Sequence, residues 1–355
     1  MASSAATALY KYTYTLGRSL YVPLTSRCNS VPLPQTRGPG FLLPREVVEA
    51  LVRVRQAEQN LPLDFDLTPY RSGLDDDRFS LPPYDMPVVN GLYPPASLAS
   101  FTEYNQKKRG EREQDANALY EDDSLQPPIS TLLDEITSRI QPDTGNFTNE
   151  FDHVVIAGEG EPTLRMEALL AVARKVKSLT GKVEKNPHNK TSHSISVRVI
   201  TNGLCYGINN FGYQTKGALF PRSRHVVLRD MIEAGINRVS VALNTANRHE
   251  YDVLMSPCCY SSRNDSVMDQ IKPSNGGSAE NNFGSLTEHG LMPGTAHDLV
   301  VEFILEAAKV GIEVEVTGID RPDVDTIEMD RFVRMLMSVS KAKKTPKTRW
   351  RKYFN

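Results

Sequence analysis

The chain has 355 residues, of which 39% are hydrophobic and 24% are charged, and its formal net charge is −2. This composition predicts a soluble globular protein, and the balanced charge argues against nucleic acid as a partner. No apolar run in the sequence is long enough to cross a bilayer, so a membrane partner is not expected either.

The cysteine content bears on the compartment. The chain has four cysteines, Cys28, Cys205, Cys258 and Cys259, which are too few for a disulfide scaffold. We therefore predict a reducing, cytoplasmic location. The first residues, MASSAATALYKYTYTLGRS, are rich in serine and alanine and contain no acidic residue, so organelle import remains the alternative.

Strand and helix patterns alternate along the chain. Short apolar runs predict buried strands at residues 20–24, 153–157, 195–201, 238–244, 313–319 and 349–354. Amphipathic stretches predict helices at LPREVVEALVRVRQAE, MEALLAVARKVKSL, HVVLRDMIEAG, DLVVEFILEAAKVG and DTIEMDRFVRMLMSV. Strands that alternate with helices in this way predict an α/β fold with a parallel sheet.

Polar or proline-rich stretches interrupt this alternation at about 60–128, 181–194, 258–297 and 340–348. Their composition is poor in core-forming residues, so we predict long surface insertions. The strands and helices between them are expected to form a single domain that covers residues 1–355.

Small polar residues recur where the predicted strands end. The second strand runs into AGEGEPTLR, in which glycines allow close approach to the backbone and a proline fixes the turn. The next three strands end near Thr201 and Asn202, Ser240 and Asn244, and Thr317 and Asp320. Carboxyl ends of parallel strands meet at one edge, so these residues predict one shared binding site. A tight turn with a solvated glutamate is the alternative for AGEGEPTLR.

The segments LGRSLYVPLTSRCN, AGEGEPTLR, ITNGL, VSVALNTANRHEYDVLMSP and VTGIDRPDVDTIE occur in the order found in radical SAM proteins. The chain most resembles the small radical SAM proteins associated with TatD-type nucleases. The resemblance implies a partial parallel TIM-type barrel of (β/α)6 pattern. It also implies two cofactors, S-adenosylmethionine and a [4Fe–4S] cluster, and radical chemistry at the carboxyl-terminal mouth of the barrel.

The resemblance also assigns site residues. The methionine end of S-adenosylmethionine would lie against Gly158, Gly160, Glu161 and Pro162. Its carboxylate and ribose would face Asn202, Ser240 and Asn244. Thr317 and Asp320 would lie near the adenine or the substrate.

The loop after the first strand, LTSRCNSVPLPQTRGPGF, departs from the family pattern Cys-x3-Cys-x2-Cys. Cys28 matches the first cluster ligand, but Pro32 and Gln35 stand where the second and third thiolates belong. Iron clusters require soft sulfur ligands, so we predict that no conventional cluster forms. A cluster shared by Cys28, Cys205 and Cys258 is the alternative.

The same loop is stiffened by prolines and carries Arg37 beside Gly38. A guanidinium and backbone amides in a rigid loop are suited to binding an anion at the barrel mouth. The alternative is that these residues only stabilise the loop.

Three functional hypotheses follow. The first is a radical SAM-like protein that binds S-adenosylmethionine or a related nucleotide without a three-cysteine cluster. The second is an active radical SAM enzyme with an unusual cluster. The third is a non-catalytic interaction protein whose acidic and proline-rich insertions contact a partner. The sequence identifies no catalytic residue and leaves open whether the substrate is a small molecule or a protein.

Overall fold

A computed structural model describes residues 12–28, 30–59, 67–72, 77–81, 127–141, 150–180, 195–204, 224–255, 296–340 and 347–354. Most of the four predicted insertions lies outside these residues, as do Cys205, Cys258 and Cys259. The single-domain assignment therefore stays a prediction.

The described residues contain nine strands. They are β1 (Tyr14–Leu16), β2 (Ser19–Val22), β3 (Leu43–Pro44), β4 (Arg78–Phe79), β5 (His153–Ile156), β6 (Ser196–Thr201), β7 (Ile236–Ala242), β8 (Glu313–Asp320) and β9 (Lys347–Lys352). Seven of them form a curled sheet in the order β1-β2-β5-β6-β7-β8-β9, a half-barrel. Only β1 pairs antiparallel in this sheet, and β3 pairs with β4 separately.

Seven helices lie in the described ranges. They are α1 (Arg45–Gln59), α2 (Ile129–Ile140), α3 (Met166–Thr180), α4 (Arg224–Ala234), α5 (Arg248–Met255), α6 (Ala296–Val310) and α7 (Thr326–Ser340). None of the helices in these ranges has the length and apolar character needed to cross a membrane. The predicted α/β class with a largely parallel sheet is confirmed.

All five predicted helices and all six predicted strands are present, and β7 and β9 begin two residues earlier than expected. The sequence prediction missed the strands β1, β3 and β4 and the helices α2 and α5. Helix α2 buries Ile129, Leu132, Ile136 and Ile140, whose spacing of three or four residues is an ordinary helical signal. It was missed because it follows directly on the proline-rich stretch.

Two apolar side chains of that stretch are anchored on α1. Leu67 and Phe79 are buried and pack with Val48 and Val52 of α1. The sequence did not indicate that these two residues are buried, because they stand among polar residues and their burial depends on neighbours that are distant in sequence.

The two faces of the sheet differ in chemistry. In β6, Val197, Val199 and Thr201 are buried, whereas Ser196, Arg198 and Ile200 are only partly buried. The buried valines join the main core with the helices, and the alternate residues face the inside of the half-barrel. The prediction of strands apolar on both faces is therefore wrong for the inner face, which carries charged residues.

The loop after β2, residues 23–41, contacts β9 at one edge of the sheet and the turn after β5. At its far end it reaches β9: Phe354 N–H donates to the Arg37 carbonyl at 2.8 Å, and Arg37 Nε donates to the Lys352 carbonyl at 2.8 Å. A Cβ on Gly38, whose φ is 95°, would lie 2.8 Å from the Tyr353 ring. This loop therefore bridges the open side of the half-barrel.

At its near end the β2 loop packs against the turn after β5, residues 157–162. Gly160 N–H donates to the Thr25 carbonyl at 3.2 Å, and Glu161 N–H donates to the Arg27 carbonyl at 2.8 Å. A Cβ on Gly160 would lie 2.6 Å from the Thr25 carbonyl oxygen and 2.7 Å from Arg27 N. No side chain fits there, because both neighbours are backbone atoms.

We therefore expect Gly160→Ala to lower the free energy of unfolding by about 3 kcal/mol, since the added methyl group overpacks two backbone segments. The control is Gly311→Ala, where nothing lies within 4 Å of the added Cβ and only the positive φ of 95° opposes it. That change should cost only about 1 kcal/mol. Urea unfolding measures both, and equal losses would show that the contact with the β2 loop is not the constraint.

Candidate functional site

The carboxyl end of the sheet brings Cys28 and Asn202 together. Asn202 Nδ2 lies 3.7 Å from Cys28 Sγ and donates to Ser30 Oγ at 2.9 Å. Its Oδ1 accepts a hydrogen bond from Leu204 N–H at 2.9 Å. The side chain of Asn202 thus joins the β2 loop to the end of β6.

Glu161 is buried, so the alternative of a solvated glutamate in this turn is wrong. Its carboxylate accepts from Thr163 N at 3.0 Å, Thr163 Oγ1 at 2.7 Å, Thr201 Oγ1 at 2.8 Å and Asn202 N at 2.8 Å. Burial raises the pKa of Glu161, and these hydrogen bonds oppose the rise. The carboxylate fastens the turn after β5 to the end of β6.

Ser240 faces the inside of the half-barrel, away from that junction. Its hydroxyl accepts from Arg198 Nε at 2.7 Å and donates to Glu315 Oε1 at 3.0 Å. Arg198 also forms an ion pair with Glu315. The predicted role of Ser240 toward a cofactor stays a prediction, and its hydroxyl already has two partners in the chain.

Asn244 and Thr317 meet through the backbone. Asn244 has φ of 62°, a left-handed conformation that asparagine tolerates, and its N–H donates to the Thr317 carbonyl at 3.2 Å. Its Nδ2 lies 2.8 Å from Met255 Sδ. Asp320 is exposed at the end of β8. The predicted residues therefore lie in several groups along one edge of the sheet, and do not form one constellation.

Two buried carboxylates were missed by sequence reasoning. Glu159 forms a two-point ion pair with Arg55, and both side chains are at least 92% buried. Glu58 accepts hydrogen bonds from Thr25 and Ser26 in the β2 loop. The sequence offered one signal for this site: Arg55 and Glu58 are charged residues on the buried side of the amphipathic helix α1.

Burial raises the pKa of both carboxylates. For Glu159 the ion pair with Arg55 opposes the rise and the nearby Glu58 adds to it. For Glu58 the opposing groups are Arg27 and the hydroxyls of Ser26 and Thr25. These charges hold the β2 loop against α1 and the turn after β5.

A cavity of about 370 Å³ opens on the inner face of the half-barrel. Ala157 and Gly158 form part of its wall, beside Ile200 and Arg198 of β6. Aromatic rings line it as well: the stacked pair Tyr14 and Tyr21, with centroids 5.1 Å apart, and Phe41. Its size and mixed lining are typical of small-molecule sites.

The residues of the β2 loop do not fit a [4Fe–4S] cluster. Cys28 supplies one thiol, while the Pro32 carbonyl accepts hydrogen bonds from Gln35 N–H at 2.9 Å and Thr36 N–H at 3.3 Å. Residues 32–36 thus form a tight turn stabilised by their own backbone, and neither side chain at 32 or 35 is a thiolate. Within the described ranges no three His, Cys, Asp or Glu side chains are arranged to hold a metal ion.

The chain matches no family model, and a search of curated proteins finds no significant match.

The buried pair of Arg55 and Glu159 gives a test of this junction. Arg55→Met leaves a buried carboxylate without its cation, so we expect a loss of about 3–5 kcal/mol in the free energy of unfolding. The double variant Arg55→Met/Glu159→Gln should recover part of that loss. Arg18→Met is the control, because the Arg18–Asp152 pair is exposed and its loss should cost under about 1 kcal/mol.

The loss in the free energy of unfolding caused by Arg55→Met should also depend on pH. Without Arg55 the already raised pKa of Glu159 rises further, so the folded state binds its proton more readily than the unfolded state does. The stability deficit should therefore be small in acid and grow as pH rises from about 5 to about 8. A deficit that is constant over this range would contradict a buried, ionised Glu159 as its cause.

Proposed function

We propose that this protein is a small-molecule-binding half-barrel of the radical SAM architecture that does not perform conventional cluster-dependent radical chemistry. In this proposal β2 and β5–β9, with the helices between them, are the units of a (β/α)6 barrel. One observation carries it: a ligand-sized cavity adjoins Gly158, while the β2 loop beside it is folded as a tight turn with one thiol.

S-adenosylmethionine is the first ligand to test. Gly158 belongs to the segment assigned to its methionine end, and Arg198 offers a partner for its carboxylate in the same cavity. Its sulfonium carries a positive charge, however, and the cavity is lined by cations. The hydroxyl of Ser240 and the amide of Asn202 are also engaged within the chain. We therefore expect S-adenosylmethionine to bind weakly.

The cluster prediction is tested by anaerobic reconstitution with iron and sulfide. Iron and acid-labile sulfide analysis, with the visible absorbance of the product, should show less than one cluster per chain. Cys28→Ala should give the same result as the wild type, because a single thiolate cannot hold the cluster. Four irons per chain that are lost in Cys28→Ala would overturn the proposal and establish an active enzyme with an unusual cluster.

Ligand binding in the cavity is tested by calorimetry on a filled variant. Ile200→Trp places a large ring in the cavity wall and should abolish binding of any ligand that the wild type takes up. Ile327→Trp is the control, because Ile327 is 62% exposed on α7. Thermal melting shows whether both variants fold. Binding that survives in a folded Ile200→Trp protein would place the ligand elsewhere. No binding of S-adenosylmethionine to the folded wild type would favour the interaction-protein hypothesis.

A further inference from the structure

The inner face of the half-barrel holds an excess of positive charge. Five cationic residues line the cavity: Arg37, Arg198, Arg349, Arg351 and Lys352. We call the first four the arginine cluster. No acidic residue is among the described residues that line the cavity.

The two arginines of β9 reach the cavity because of strand periodicity. Residues 349 and 351 are two apart, so their side chains leave the same face of β9. Arg349 pairs in register with Thr317 of β8, and Arg351 with Ile319. Arg198 lies on the facing strand β6, and Arg37 comes from the β2 loop, which bridges the half-barrel at this point.

A single carboxylate partly balances the cluster. Glu315 forms an ion pair with Arg198 and lies 3.7 Å from Arg349 Nη1. Arg37 is held by a backbone carbonyl and by the rings of Phe41 and Phe354, at 4.7 Å and 5.5 Å from their centroids. Within the described part of the chain, no carboxylate forms an ion pair with Arg351.

The unbalanced charge changes the protonation equilibria within the cluster. Burial and the positive charges of Arg37, Arg349 and Arg198 lower the pKa of Arg351 to about 10. Arg37 likewise has a lowered pKa, because of its burial and of Arg349. Like charges held together in a partly buried space raise the free energy of the empty site, and a bound anion relieves this repulsion.

If the charged residues on this face served only to form internal ion pairs, we would expect as many carboxylates as cations. Lower on the same face, Arg238 pairs with Glu313 at 2.6 Å, one cation with one carboxylate. The arginine cluster instead sets four guanidinium groups against Glu315. The balanced pair is suited to packing alone, whereas the cluster requires negative charge from outside the described residues.

We propose that the cavity binds a phosphorylated small molecule, with its phosphate or diphosphate group on the arginine cluster. Guanidinium groups match phosphate oxygens in a forked geometry, and a phosphate carries more negative charge than one carboxylate. The rings of Tyr21 and Phe41 beside the cluster provide flat apolar surface for the organic part of the ligand. This inference rests on the proposed function only in using the same cavity.

The test is a calorimetric titration of the full chain at constant ionic strength. The ligands are inorganic phosphate, pyrophosphate, a nucleoside 5′-monophosphate and the parent nucleoside. We expect the phosphorylated compounds to bind and the nucleoside not to bind. Tighter binding of the nucleotide than of inorganic phosphate would show that the rings also contribute. A folded protein that binds none of the phosphorylated compounds at millimolar concentration would overturn the proposal.

Arg351→Gln is the decisive variant. It should weaken pyrophosphate binding about tenfold or more, because a charged hydrogen bond is lost, and Arg351→Lys should fall between it and the wild type. The melting temperature of the ligand-free variant should be unchanged or higher, since like-charge repulsion is removed. Arg238→Gln, the control, should change affinity less than about twofold. Unchanged binding in Arg351→Gln, or equal weakening in the control, would refute a specific site.

A parallel titration with S-adenosylmethionine separates this inference from the proposed function. If phosphorylated compounds bind and S-adenosylmethionine does not, the inference holds and the first ligand candidate fails. If S-adenosylmethionine binds and the phosphates do not, the inference fails while the proposed function stands. Loss of phosphate binding in a folded Ile200→Trp protein would support the same cavity, and its retention would refute this placement.

Discussion

Backbone contact between the β2 loop and the turn after β5 is the constraint on which the rest of this end of the molecule depends. Gly160 meets the Thr25 and Arg27 backbone so closely that no side chain fits between them. That contact directs Glu159 toward Arg55 and Glu161 toward the end of β6, where each carboxylate finds its buried partners. The glycine that the sequence pattern assigns to a ligand therefore already has a structural reason within the chain.

Six of the seven strands of the main sheet, five of the seven helices and the polar strand ends could be predicted from the sequence, because they depend on local periodicity and turn residues. The pairings of Arg55 with Glu159 and of Glu58 with the β2 loop could not, since they join residues whose separation along the chain carries no pattern. Asn202 illustrates both what the sequence predicts and what it does not. Its place at a strand end was predictable, but its contact with Ser30 depends on how the loop folds.

The inner face shows why single-strand patterns mislead in a half-barrel. ISVRVIT reads as an apolar strand with one arginine, and nothing within it indicates that Arg198 meets Glu315 and Ser240 of two other strands. The charge excess arises only when β6, β9 and the β2 loop are brought together. Composition averaged over the whole chain conceals it, because 41 basic and 43 acidic residues nearly cancel in a net charge of −2.

The bridge between the β2 loop and β9 joins residues separated by 315 positions, as in the hydrogen bond from Arg37 to the Lys352 carbonyl. During synthesis Arg37 emerges first, and its contact cannot form until the 315 residues up to Lys352 have followed. The cavity wall formed by residues 349–352 is consequently the last part of the pocket to assemble. Nascent chains that still lack β9 have a solvent-open trough in place of a pocket, so ligand capture must wait until this strand has been synthesised.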